Sequence, residues 1–383
     1  MPFAQGVPEA TTIRAARVLD GRGQILRNAT VTVQGSKIVS VTAGAAGVPT
    51  RDLGDATLLP GLIDVHVHLS WYFGPSGKYG DAGPPGYAAS AMAENAKATL
   101  LAGFTTVQSL GAGSDRVLRE QIASGQVIGP RLLSSLGQLV PRATQTPEQL
   151  REIVRQLKSA GADVIKLFTS TSIRDGGSMS VTAPQIDAVC QEARAQGLRT
   201  VVHAQDSASM LAAVAAGCSQ IEHGVYADAA AIRAMARANV LFDPNIGLVL
   251  QNYLEQRDKF LGGGNFTGEG FAFMETVLPR LPRVFKMALD AKVKMPLGSD
   301  AVAGAHGQNA REIIARVAAG QKPMDAIVSA TSLAAESLGL GDVIGAVAPG
   351  YEADLMAVRG DPTRDIAALR TPILVMKAGR SYQ

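Results

Sequence analysis

Hydrophobic and polar positions follow two rhythms along this chain. In the first 60 residues, the segments 12–18, 29–34 and 37–42 are rich in β-branched residues and are parted by Gly, Asn and Asp turns, which predicts short strands. Beyond residue 58, apolar strand-like runs at 63–69, 105–110, 131–135, 163–169, 199–204, 220–224, 240–244 and 295–301 alternate with helical patterns. The helices are predicted at 87–102, 115–124, 147–160, 184–196, 207–216, 229–238, 271–291, 308–319 and 323–339. Gly103, Gly161, Gly197 and Gly217 each stand between a helical pattern and the next strand, the C-cap position of such connections. Eight strands alternating with helices predict an α/β fold, a (β/α)8 TIM barrel. The last 40 residues return to short strands at 345–347, 353–358 and 374–377. Both ends together predict a small β-sandwich domain, built from 1–58 and 341–383, flanking a barrel at 59–340. The Gly- and Pro-rich stretches 74–86 and 262–270 lack periodicity and read as loops.

Composition narrows the classes of function. The hydrophobic fraction of 46% over 383 residues is enough for one large core plus an accessory domain. The charge balance of 36 − 33 = +3 contains no Lys/Arg run interleaved with aromatics, so nothing supports a nucleic acid partner. No apolar run reaches the roughly 18–20 residues of a membrane span. The stretch Met1–Ala10 lacks the apolar core of a signal peptide, which gives a cytoplasmic expectation. A periplasmic or secreted location stays open if a leader has been removed. Cys190 and Cys218 are too few for a disulfide framework and too far apart for a Cys-type zinc site, so both read as small buried hydrophobes.

The candidate chemistry sits at strand ends. Four of the five histidines, His66, His68, His203 and His223, close predicted barrel strands, at the end where this fold assembles its sites. His66 and His68 are two apart on one strand, so both imidazoles point to the same face and form a chelate. Alternation in Val164-Ile165-Lys166-Leu167-Phe168 sets Lys166 inside the barrel. A lone buried ammonium is costly, so such a lysine is paired, neutralised, or reaches out to solvent. With four histidines converging, the favoured reading is a neutral amine that reacts with CO2 to give a carbamate, N6-carboxylysine, able to bridge two metals. Asp300 ends the eighth strand; it either caps the next helix or is a metal-bound carboxylate that also handles a proton, the reading favoured by the other ligands. Neutral imidazoles and carboxylates suit two divalent ions, zinc first, sharing a bridging hydroxide. Trp71, Tyr72 and Phe73 follow the His pair and either line an apolar pocket or pack under the loop 74–86. Together with Phe266 and Phe271 they point to a hydrophobic substrate.

These residues resemble the amidohydrolase superfamily, in its binuclear branch with a carboxylated lysine. Pro60-Gly61-Leu62-Ile63-Asp64-Val65-His66-Val67-His68 is similar to its first-strand signature, and Lys166, His203, His223 and Asp300 match its remaining ligand positions in order. The resemblance implies that His66, His68 and Asp300 hold one ion, that His203 and His223 hold the other, and that Lys166 bridges both. It also implies that Asp300 passes a proton from the hydroxide to the leaving group. Glu222-His223-Gly224-Val225-Tyr226 and His306-Gly307-Gln308-Asn309 look like the imidazolonepropionase-related, prolidase-like (Xaa-Pro dipeptidase-like) group. There Tyr226 is expected to contact the substrate oxygen, or else to be a packed aromatic, and His306 to touch substrate or cap a helix. That group often carries a histidine-rich loop after the third strand which helps bind the substrate carboxylate. The segment 136–142 has no histidine, leaving Arg142 or Arg174 to take that role or to be solvated loop charges. The expected activity on a small-molecule substrate is hydrolysis of a C–N amide-type bond in an N-acyl amino acid, dipeptide, aryl amide or carbamate. The alternatives are an esterase, lactonase or phosphotriesterase using the same centre, and a non-catalytic scaffold. A homo-oligomer is implied by the resemblance alone.

Overall fold

The computed structural model describes residues 10–44 and 47–383. Residues 1–9, which carry most of the stretch tested for a leader, lie outside the described residues. The chain forms two compact units: Met1–Ile63, Leu100–Thr105 and Lys322–Gln383 in one, and Asp64–Thr99 and Thr106–Gln321 in the other.

In the first unit, strands from both ends of the chain join one hydrogen-bonded sheet. Its order is Arg380–Ser381, Pro372–Lys377, Leu355–Arg359, Ala56–Pro60, Thr11–Leu19, Ile25–Gln34, Lys37–Ala43, with Arg51–Asp52 pairing with Thr11–Leu19. Alternating positions Ile13, Ala15, Val31, Val33, Leu355 and Leu374 build its core, as a sheet with one buried face requires. The single helix expected at 323–339 is two helices, Pro323–Ser329 and Ser332–Ser337. Thr331 breaks it, with φ −130° and ψ −100° and a hydroxyl that donates to Ile327 O at 2.8 Å.

The second unit holds the barrel, apart from the first residues of its first two strands, 62–63 and 104–105. Its parallel strands are Leu62–Val67, Phe104–Ser109, Arg131–Ser134, Val164–Phe168, Arg199–Asp206, Gln220–Tyr226 and Leu241–Asp243. The third strand is split. Arg131–Ser134 pairs with the second strand, and its continuation Gln138–Leu139 pairs with Lys166–Leu167 of the fourth. The run 295–301, expected as the eighth strand, is not a regular strand. It still closes the ring: Val65 N donates to Leu297 O, Asp300 N to His66 O and His68 N to Ala301 O, each at 2.8 Å, and Phe242 N donates to Lys294 O at 3.0 Å. Pro296 has no N–H to give, and Asp300 sits at φ +52°, so a continuous ladder cannot form there.

The helices begin where their caps dictate. Thr146 and Gln149 form a capping box with Pro147 at the first turn of Pro147–Ser159, and Thr182 and Gln185 do the same for Ala183–Ala195. The helix expected at 271–291 is broken into Gly268–Val277 and Leu281–Asp290 around a 3-10 turn, because Pro279 and Pro282 withhold two backbone donors.

The reading of the cysteines is corrected. Cys190, in Ala183–Ala195, and Cys218, in the turn before Gln220–Tyr226, are joined in a disulfide with Cα atoms 5.2 Å apart. The intervening residues, 191–217, include a strand and a helix, and their return brings the two together. Both are buried in the main core, so the bond replaces two thiols without exposing either.

Candidate metal centre

The C-terminal ends of the barrel strands surround a cavity of about 480 Å3. Its floor holds His66, His68, Lys166, His203, His223 and Asp300, all on different strands or strand ends except the first pair. The first strand delivers His66 and His68 by its two-residue repeat, with ring centroids 5.3 Å apart. The His66 and His223 rings lie 5.4 Å apart, and His203 and His223 lie 4.6 Å apart. Asp300 Oδ1 is 3.1 Å from His68 Nε2 and 3.3 Å from His66 Nε2. Lys166 Nζ is 3.4 Å from His66 Nε2 and has no ion pair among the described residues.

Two of these side chains are presented by unusual backbone. His223 has φ +70° and Asp300 φ +52°, in the left-handed region that non-glycine residues seldom adopt. Such conformations cost of order 1–3 kcal/mol each and persist where surrounding structure over-determines them. Gly298 permits the close approach of Asp243 and His66, since a Cβ there would fall 1.9 Å from Asp243 Oδ2 and 2.8 Å from His66 Cβ.

Beneath the cavity lies a buried polar network that the sequence reading passed over. Glu222 Oε2 meets His66 Nδ1 at 2.5 Å, leaving Nε2 turned toward Lys166 and Asp300. Arg316 donates to Asp243 Oδ1 at 2.7 Å and to Glu312 Oε1 at 3.2 Å, with all three side chains fully buried. Asp64 accepts from Asn309 Nδ2 at 2.7 Å and from the Ser299 backbone N–H at 3.0 Å. A charged residue inside an otherwise apolar strand, as at Asp64, Glu222 and Asp243, was the available signal.

Electrostatics favours neutral imidazoles at His66, His203 and His223. Burial pulls His203 down to about 3 and holds His66 and His223 well below the ordinary imidazole value, with the Lys166 ammonium and neighbouring rings acting in the same direction. Burial also lowers Lys166 against the pull of Glu222 and Asp300. For Asp300 burial acts to raise the pKa, but His66, His68 and Lys166 outweigh it and keep the carboxylate ionised. Burial raises Glu222 and Asp243, the latter further because Glu222 lies beside it.

These observations fit divalent metal. Neutral imidazoles, an ionised carboxylate and a lysine without a counter-ion converge, and the donor atoms of His66, His223 and Asp300 all lie within 4.8 Å of one another. A carboxylate on the far nitrogen of His66 is the usual support of a metal-ligating imidazole. The trio His66, Glu222 and Asp243 is also close enough to hold an ion, but its carboxylates are already engaged by Arg316, Gln220 and Asn245.

The remaining expected residues divide. Trp71 and Arg174 line the cavity. Tyr72, Arg142, Tyr226 and His306 do not line it. Tyr72 packs under the loop 74–86, its hydroxyl donating to Ala82 O at 3.4 Å. Arg142 is solvent-exposed on the loop after the split third strand. The Tyr226 ring lies against the Arg280 guanidinium at 5.1 Å and faces Gly177, while its neighbour Val225 lines the cavity. His306 is half-buried against the backbone of His68 and Trp71, and the following helix begins at Ala310 with Asn309 in the cap position. Tyr253, Asn265, Val249, Leu250 and Leu281 line the cavity and were not singled out beforehand.

A barrel with such a floor defines a metal-dependent hydrolase. The chain belongs to the amidohydrolase family, whose model matches residues 57–381, and is a hydrolase acting on C–N bonds. It is 26% identical to an ochratoxinase from Aspergillus niger, over 98% of this chain and 87% of that protein. Among solved structures it is similar to a Xaa-Pro dipeptidase with methionine bound in its active site, at 28% identity and a TM-score of 0.87, covering 98% of this chain and 100% of the other. A putative prolidase from Bifidobacterium longum aligns at 27% identity and a TM-score of 0.82, covering 98% and 95%. Among the described residues no helix is long and apolar enough to cross a membrane.

Proposed function

We propose that this hydrolase cleaves the amide bond of N-acyl amino acids or dipeptides. In this reading His66, His68 and Asp300 would hold one ion and His203 and His223 a second, with Lys166, as its carbamate, a ligand to them. The observation that supports it most is the convergence of four imidazoles, one lysine without a counter-ion and one carboxylate on the floor of a single cavity. Two divalent ions, zinc by the chemistry of these donors, supply polarisation of the scissile carbonyl and activation of water when bound. The chain's own groups do the rest. Asp300, held ionised among the rings, accepts a proton from the attacking water and delivers it to the departing nitrogen. Glu222 fixes the tautomer and orientation of His66 from behind. The apolar walls, with Trp71 at the mouth, shield the bond from bulk water.

The substrate assignment is supported by similar structures named as a Xaa-Pro dipeptidase and a putative prolidase, the first with methionine bound in its active site. The disulfide supports maturation in an oxidising compartment, such as the periplasm or the exterior, over the cytoplasm. The test of the reaction class is a screen of the metal-loaded enzyme against N-acyl amino acids, dipeptides, aryl carbamates, lactones and phosphotriesters. The expected ranking by kcat/KM places the N-acyl amino acids and dipeptides first. A lactone or phosphotriester at the top of that ranking sinks the proposal.

A further inference from the structure

We infer that the side-chain oxygen of Asn245 accepts the N–H of the scissile amide, so that the enzyme selects bonds whose nitrogen carries a hydrogen over tertiary amides and esters. The inference rests on the amide-hydrolase reading above and names a feature of the substrate that the metal floor does not read.

Asn245 lies two residues beyond Asp243, just past the strand Leu241–Asp243, and lines the cavity. The residue is 1% exposed. Its Nδ2 donates to Asp243 Oδ2 at 2.8 Å and to Gly298 O at 3.0 Å, so both of its hydrogens are spent. Gly298 O is a carbonyl and can only accept, so the amide cannot be turned over without setting two oxygens against each other. Oδ1 is left over. It is buried and, among the described residues, has no hydrogen-bond partner. The local donors are committed elsewhere. Pro244 has no N–H, and the N–H groups of Ile246 and Gly247 go to Glu312 at 3.0 and 2.6 Å. Val249 and Leu250, which continue the lining, have apolar side chains.

A buried acceptor without a donor is costly, and in a binding cavity the cost is relieved by a ligand that brings the hydrogen. The position suits one hydrogen in particular. Asn245 is tied to Gly298, two residues before Asp300, so one short segment holds both the acceptor and the proton carrier. A secondary amide has a single N–H, on the nitrogen to which Asp300 delivers its proton. Held by Oδ1, that hydrogen stays on nitrogen while the lone pair is freed as the acyl carbon becomes tetrahedral. The nitrogen then gains its second hydrogen from Asp300 and leaves as the amine, and the oxygen of water stays on the acyl carbon. An ester or an N-alkylated amide, an Xaa-Pro bond included, brings no hydrogen and leaves Oδ1 desolvated and unpaired.

Two matched pairs of probes test this on the metal-loaded protein. The first pair, measured by calorimetry, consists of hydrolysis-resistant tetrahedral phosphorus analogues of N-benzoyl-L-phenylalanine, one with P–NH and one with P–O at the scissile linkage. The second pair, assayed for turnover, is N-benzoyl-L-phenylalanine and its N-methyl derivative. The parent is expected to bind the P–NH analogue about 10–100-fold tighter than the P–O analogue, and to prefer the N–H amide in kcat/KM by at least that factor. Asn245→Ala and Asn245→Leu, the second of which keeps most of the volume, should bring the P–NH to P–O ratio near unity, with folding checked by circular dichroism and by metal content. A purely structural role, or a contact with water at the centre, would weaken both analogues together and leave their ratio unchanged. A parent that binds the two equally, or a folded, metal-replete variant that keeps the ratio, overturns the inference; if neither variant folds, the parent pair alone decides. Failure to hydrolyse any amide while the P–NH preference and its loss are intact contradicts the proposed reaction and leaves the N–H contact standing.

Discussion

The floor and the wall of the cavity are built by opposite means. The floor is made of strand ends over a buried polar network: Glu222 supports His66, Arg316 holds Asp243 and Glu312, and Asn309 holds Asp64. The wall is made of loops and short helices, where aromatic rings carry the packing. Trp71 stacks on Tyr79 at 4.9 Å, Tyr79 meets Phe260 and Phe266, and Arg174 lies on Phe266. The loops 70–86 and 256–267 also meet through the Tyr79 N–H, which donates to Lys259 O at 2.8 Å. Each construction carries a different property. A network of satisfied buried charges tolerates few rearrangements, so it fixes chemistry. A wall of rings can exchange one apolar contact for another, so it sets which molecule is admitted.

Substitutions on the floor should therefore act on turnover and metal, and those on the wall on KM. Asp300→Asn carries the largest effect after loss of the ions themselves: kcat falls by about 10²–10⁴-fold, the scale of general acid–base catalysis. Unchanged kcat, with metal content measured in parallel, removes Asp300 as the proton carrier. Next comes Glu222→Gln, which leaves the shape but weakens the support of His66. Metal affinity, read by competition with a chelator, should drop about 10–100-fold. An unaltered affinity would show that the floor does not depend on the network beneath it. On the wall, Trp71→Ala removes the ring that stacks on Tyr79 and faces His68 at 5.7 Å. KM is expected to rise about 2–12-fold, with kcat retained. A fall in kcat without a change in KM would erase the distinction between the two regions. The smallest effect on activity is that of reducing the Cys190–Cys218 bond. Thermal unfolding should begin about 5 °C lower, as for a loop of this length, with kcat unchanged. Two titratable thiols in the denatured, unreduced protein would contradict the pairing.

The same contrast explains what the sequence makes legible. Along 63–69 the two-residue period alone sets His66 and His68 on one face, and the same period turns Lys166 inward. Barrel alternation then brings these residues and the later strand ends to one cavity, because strand periodicity is a local signal. Asp300 shows the limit of that signal. It is readable as a strand end, although Pro296 and its own positive φ prevent a regular strand from forming there. Glu222 and Asp243 were visible as charges in apolar strands, but His66, the partner of Glu222, lies 156 residues away and Arg316, the partner of Asp243, lies 73 residues away, and no local pattern joins them. The wall was less legible for the same reason. Tyr72 and Trp71 are neighbours in sequence, yet one packs under a loop and the other faces the cavity, a choice made by Ala82 and Tyr79 of the aperiodic loop that follows. The Cys190–Cys218 bond depends on the return of a whole helix and strand, which cysteine spacing does not encode.

The central claim is that the floor is one binuclear unit in which Lys166 is indispensable. Elemental analysis of purified protein and of Lys166→Ala, each reconstituted with zinc and bicarbonate and assayed on an N-acyl amino acid, tests it most directly. Expected are two ions per parent chain, loss of both in Lys166→Ala, and kcat below about one-thousandth of the parent, with partial rescue by a small carboxylate. A folded Lys166→Ala protein that keeps two ions and full turnover would contradict it.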